Sequence, residues 1–192
     1  MLLATYALST LSVEQKKQRG FIERLQHRLR HYGAFPGQAD AQAVLADIDR
    51  LSRFAEARHQ GKVEQWLMPA VRRASADAAP LLADLESLSR TGGLLLGELR
   101  STWQRTVQRD AGHLHQLLRS VELYCQNLLH RLAKEEHELL PLAQRVLSSD
   151  GWFSIGAGFL RHDAGQAGKF AATATATATF KAAPARPHPA RM

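Results

Sequence analysis

The chain has 192 residues, 45% of them hydrophobic, with proline and glycine sparse before residue 150. This suits one globular domain with a sizeable core and excludes a wholly disordered chain. The formal charge of +7 is uneven: residues 161–192 hold five Lys/Arg against the lone Asp163, leaving about +3 for the remainder.

A nucleic-acid binder wants a basic face on an ordered element, so no nucleic-acid partner is expected. The single cysteine, Cys125, excludes an internal disulfide framework and fits a reducing compartment. No run of about 18 uncharged apolar residues occurs, so no membrane span is expected. The opening "MLLATYALSTL" is apolar but lacks a basic n-region and a cleavage site. A cytoplasmic protein is the expectation.

Amphipathic periodicity predicts four helices over residues 12–148, and no strand. The first runs from about Ser12 to Tyr32, with Ile22, Leu25, Leu29 and Tyr32 on one face. "GAFPG" breaks it, and a second helix begins after Asp40 with the stripe Val44, Ile48, Leu51, Ala55 and His59. Gly61 loosens that helix before "VEQWLMPAV" resumes it, and "ASADAAP" is the next connection. A third helix carries Leu82, Leu85, Ser89, Gly92, Leu96, Leu99 and Trp103.

The fourth helix starts near Asp110 and reaches about Leu147, with Pro141 expected to kink it or end its regular part. Its stripe reads Leu128, Leu132, Glu135, Leu139, Leu142 and Val146. Four helices with short connections favour an all-α, antiparallel up-down-up-down four-helix bundle. The expected domain spans residues 1–158. Residues 159–192, with "AATATATATF" and "APARPHPARM", read as a low-complexity basic tail too poor in apolar bulk to order itself.

Several polar residues fall on the inward stripes: Gln18, His59, Ser89, and Glu135 with Arg131 beside it. A buried carboxylate needs a partner, because an unpaired charge is costly to desolvate. Arg131 lies four residues before Glu135, within pairing reach on a helix, while a metal ion is the other candidate. His27 and His31 sit opposite the stripe of Leu25 and Leu29, and His113 and His115 are two apart, so neither pair suggests a ligand set. Glu136, His137 and Glu138 read as a charged outer surface. Gly92 and Gly93, beside Ser89, imply either a close helix–helix approach or a small cavity, and the first is favoured because voids destabilise. No nucleophile–base pair, phosphate-cradling loop or paired-carboxylate motif appears, so no enzymatic activity is expected.

"HRLAKEEHELLPLAQRVLSSDGW" resembles the last helix of the bacterial hemerythrin-like (HHE cation-binding) domains, and "RHQGKVEQWLMPAV" is similar to their second-helix metal-binding stretch. "PLLADLESLSRTGGLLLGEL" has the pattern of their third helix. The resemblance spans roughly residues 12–152 and implies a four-helix bundle around a non-haem di-iron centre with histidine and carboxylate ligands. It also implies oxygen, redox or nitric oxide sensing, or iron handling.

Anchored on Pro141 and Pro69, the family's ligand positions fall on Glu135 and His59. The other positions fall on Arg131, Val63, Ser89 and Gln18. Only His59 and Glu135 are ligand types, so the expectation is a degenerate metal site with no cofactor. The chain would then act as a sensory, scaffold or interaction module with an unidentified protein partner. The alternative is iron or another divalent ion held in a reduced or rearranged site built on His59 and Glu135, with help from His130 or a shifted residue.

Overall fold

The structure, a computed structural model, describes the backbone of residues 2–34, 38–106 and 111–181, and side chains over 4–31, 43–44, 46–53, 58–99, 101–102 and 116–165. Every regular element among these residues is helical, as the periodicity predicts. Five rods result: α1 (Leu2–Ala34), α2 (38–74), α3 (Ala79–Thr106), α4 (111–146) and α5 (Ser149–Lys181). Ser75 and Leu147, both extended, end α2 and α4. Ser148 caps α5, its hydroxyl accepting a hydrogen bond from the Gly151 N–H at 3.2 Å.

Two rods are not regular α-helix throughout. In α2, π turns occupy Arg53–Gln60 and Val63–Leu67, and in α4 another occupies Glu135–Leu139. The latter two each end two residues before a proline, Pro69 or Pro141. Proline lacks the N–H for the α-helical bond, and its ring crowds the carbonyl four residues earlier, so the preceding turn widens. Pro141 therefore neither ends nor breaks α4, which continues to Val146.

Two apolar clusters are separated by a polar layer. Along α1 the buried face reads Ala7 and Leu11, then Glu14, Gln15 and Gln18, then Ile22, Leu25 and Leu29. Along α2 the order is reversed: Val44, Ile48 and Leu51 come first, then His59 and Lys62, then Val63 and Leu67. In α3, Leu82 and Leu85 precede Ser89, with Leu96 and Leu99 beyond. In α4, Val121, Leu128 and Leu132 form one cluster, Leu139 and Ala143 the other, and Arg131 and Glu135 lie at the junction. Each of the first four helices thus crosses the polar layer in the opposite sense to the one before.

The fifth helix runs across the boundary expected at 158/159. Trp152, Ile155 and Phe159 of α5 are buried in the same cluster as Leu11 and Leu67. Asp163 pairs with Lys62. The boundary falls inside an ordered helix because three bulky apolar side chains and one carboxylate, spaced three or four apart, give this segment a burying face. Gly158 admits the Trp66 ring, and Gly61 admits the His162 ring, so α2 and α5 approach closely at both places. The continuation of the expected tail over 182–192 lies outside the described residues. So do the side chains of Tyr32, Ala55, Trp103, His113 and His115.

Candidate functional site

The polar layer is a chain of ion pairs centred on His59. Its Nε2 lies 2.6 Å from Glu135 Oε2, and its Nδ1 lies 3.4 Å from Glu14 Oε2. The other oxygen of each carboxylate meets a second cation: Arg131 Nε donates to Glu135 Oε1 at 2.8 Å, and Lys62 Nζ donates to Glu14 Oε1 at 2.6 Å. Gln15 Nε2 adds a longer bond to Glu135 Oε2 at 3.4 Å. These residues are almost wholly buried; Lys62 is 0% and Glu135 1% exposed.

Two half-buried acids close the ends of the chain. Arg131 Nη1 donates to Glu64 Oε1 at 3.1 Å, and the same oxygen accepts from Gln60 and from the Ser89 hydroxyl. Lys62 Nζ donates to Asp163 Oδ2 at 2.8 Å and lies 5.6 Å from the Phe159 ring centre. Arg58, on the surface, reaches both Glu14 and Asp163 at 3.3 Å.

Ionisation follows from this arrangement. Burial would push the His59 imidazole down, but the Glu135 charge and hydrogen bond, aided by Glu14, hold it up at about 9. Burial would raise the Glu135 carboxyl, yet His59 and then Arg131 hold it down at about 2. Glu14 is likewise held below its ordinary range, burial being outweighed by hydrogen bonds from His59 and Lys62. At neutral pH His59 is therefore the charged partner of two ionised carboxylates, Glu135 and Glu14.

His59 and Glu135, the two ligand-type residues of the sequence reading, are brought together. Their surroundings do not fit a di-iron centre. An imidazole binds one ion through one nitrogen, and here the two carboxylates face opposite nitrogens of the ring. Both oxygens of Glu135 and both of Glu14 are already taken by protein cations. Arg131 Nη2 is buried without an acceptor among the described residues, and a guanidinium presents only protons, the wrong polarity for a cation. Among the described residues no group of three or more His, Cys, Asp or Glu could hold a metal ion.

Other expectations resolve individually. Arg131 and Glu135 form the buried pair that their spacing suggests. His130 is exposed and takes no part in the layer, as are His27, His31 and His137. Ser89 faces Glu64. Gly92 is buried against the Asn127 amide, which would lie 2.9 Å from an added Cβ and which donates to the Leu88 carbonyl. That is the close helix approach, made between α3 and α4. Cys125 is buried, and desolvation followed by the Glu122 charge pushes its thiol up to about 12, far from thiolate reactivity.

Sequence reading missed Glu14, Lys62 and Glu64. Glu14 was findable: Ala7, Leu11, Glu14, Gln18, Ile22, Leu25 and Leu29 step by three or four along one face. Starting the first helix at Ser12 hid the apolar residues upstream that reveal the stripe. Lys62 was findable too: it stands three residues after His59, on the same side of the helix, and a stripe that stops at His59 ends one step short of it.

Comparison with known proteins yields one family: the model of the hemerythrin HHE cation-binding domain matches residues 7–143, more than half of the chain. No curated protein and no solved structure gave a match. Among the described residues no helix is long and apolar enough to cross a membrane.

Proposed function

The chain belongs to the hemerythrin HHE cation-binding family, and from that premise we propose that it is a member whose metal site has become a proteinaceous ion-pair network. The alternating passage of α1–α4 through the polar layer supports an antiparallel up-down-up-down four-helix bundle with α5 added. Within it, Arg131 and Lys62 supply the positive charge that the inward carboxylates require. The observation that carries this reading is the saturation of Glu135, whose two oxygens are held by Arg131 at 2.8 Å and His59 at 2.6 Å. The domain then serves as a non-enzymatic sensory, scaffold or interaction module.

A second reading has one observation in its favour: His59 Nε2 and Glu135 Oε2 lie side by side, as two ligands of a single ion do. Purification after expression with added iron, with bound metal and the visible spectrum measured together, separates the two. We expect far less than one iron per chain and no visible band, unchanged in His59→Ala. Stoichiometric iron that disappears in His59→Ala or Glu135→Ala would establish the second reading and overturn the first.

A further inference from the structure

A cleft of about 580 Å³ opens between α2 and the first half of α5. Its floor is apolar: Trp66, Pro69 and Ile155 line it, and Phe153, 61% exposed, stands at its edge. Its charge is predominantly positive. Arg73 lines the cleft and makes no ion pair among the described residues, and Arg161 also lines it, stacking 5.1 Å from the Trp66 ring centre. Asp150 is the single carboxylate in its wall. Ser154 and Gln65 offer neutral hydrogen-bonding groups.

Two guanidiniums without carboxylate partners among the described residues, over an aromatic and aliphatic floor, match one class of ligand. An oxyanion head takes charge-assisted, forked hydrogen bonds from arginine, and a flat apolar body takes the floor. The cleft has the volume of an ordinary small-molecule site. Its walls are held in place by close packing of the two helices, with the Trp66 ring against Gly158 and the His162 ring against Gly61. Glu64 and Trp66 share the five-residue π turn Val63–Leu67. Glu64 reaches Arg131 in the ion-pair layer, whereas Trp66 lines the cleft.

We propose that the α2–α5 cleft binds a small organic anion, a phosphate or carboxylate carried on a flat apolar body, through Arg73 and Arg161 with the body on Trp66. The site stands apart from the His59 network, so its test is independent of whether that network binds metal.

Calorimetric titration of the full chain with phenyl phosphate tests the assignment, with inorganic phosphate and benzyl alcohol as the separate head and body. We expect saturable one-to-one binding of phenyl phosphate, about tenfold tighter than either fragment. Arg73→Gln and Arg161→Gln should each weaken it about tenfold, the worth of one charge-assisted pair. Both arginines are exposed, so far-UV circular dichroism should stay unchanged in the variants. Absence of saturable binding, equal affinity for inorganic phosphate, or unchanged affinity in the double variant would each overturn the proposal.

Discussion

The two apolar clusters on either side of the ion-pair layer are built differently. The cluster containing Leu25, Ile48, Leu99 and Val121 draws on the regular α-helical parts of α1–α4. The cluster containing Leu11, Leu67, Leu82 and Leu139 joins regular parts of α1 and α3 to the π-turn and proline segments of α2 and α4, and it is completed by Trp152, Ile155 and Phe159 of a fifth helix. In the first, helical periodicity suffices to place every buried side chain. In the second, two of the four contributing helices are irregular, and an added helix supplies further apolar surface. The charged layer lies at the boundary, where α2 and α4 carry π turns, and Lys62 and Glu64 join there the polar residues already on the stripe.

The comparison can be broken most severely at the layer itself. Arg131→Met leaves Glu135 and Glu64 without their guanidinium and should cost about 3–5 kcal/mol in urea unfolding. The same change in a Glu135→Gln background should cost clearly less, because the coupling is then already gone. Equal losses in the two backgrounds would show that Arg131 and Glu135 are not energetically linked.

Of similar size for a single substitution is the contribution of α5. Phe159→Ala should destabilise by about 3–5 kcal/mol, the range for a buried aromatic. A chain ended at residue 158 should lose more, since Lys62 then also loses Asp163. If instead the urea midpoint of the shortened chain matches that of the intact one, α5 adds nothing to the second cluster, and the contrast between the clusters fails.

The pH dependence sharpens the same boundary. His59 rises from 6.5 to about 9 on folding, so its contribution is complete below pH 6.5 and is lost as pH rises through 9. Glu135 falls from 4.5 to about 2, so its contribution is complete above pH 4.5 and is lost as pH falls through 2. Stability from this pair should therefore plateau between pH 4.5 and 6.5 and decline on both sides. His59→Gln should remove the alkaline decline while leaving titrations of other groups in place; an alkaline limb unaltered by that change would remove His59 from the account.

The smallest effects lie at two glycines. In Gly158→Ala the new methyl would stand 2.4 Å from the Trp66 ring, a forced repacking worth about 1–3 kcal/mol of destabilisation. In Gly93→Ala nothing lies within 4 Å, so helix propensity alone should stabilise by about 0.5–1 kcal/mol. Opposite signs for the two alanines, read from thermal midpoints, would confirm that α2 and α5 are in close contact while this side of α3 is open. Equal signs would contradict it.

Much of this architecture was legible in the chain. The stripes from Ile22 to Leu29, Val44 to Leu51 and Leu128 to Leu139 identify helices and their inner faces, because apolar residues three and four apart share a side. They also expose His59, Arg131 and Glu135 as inward polar residues, and the i, i+4 spacing pairs the last two. Tertiary structure alone decided who else joins them. Lys62 enters because two other helices bring Glu14 and Asp163 to its buried ammonium, Glu14 because a neighbouring helix presents His59 to it, and Asp163 because α5 folds back over both. Helical periodicity describes one rod at a constant pitch. It carries no information on where the pitch changes or which rod lies alongside, and a buried charge is satisfied only across such contacts.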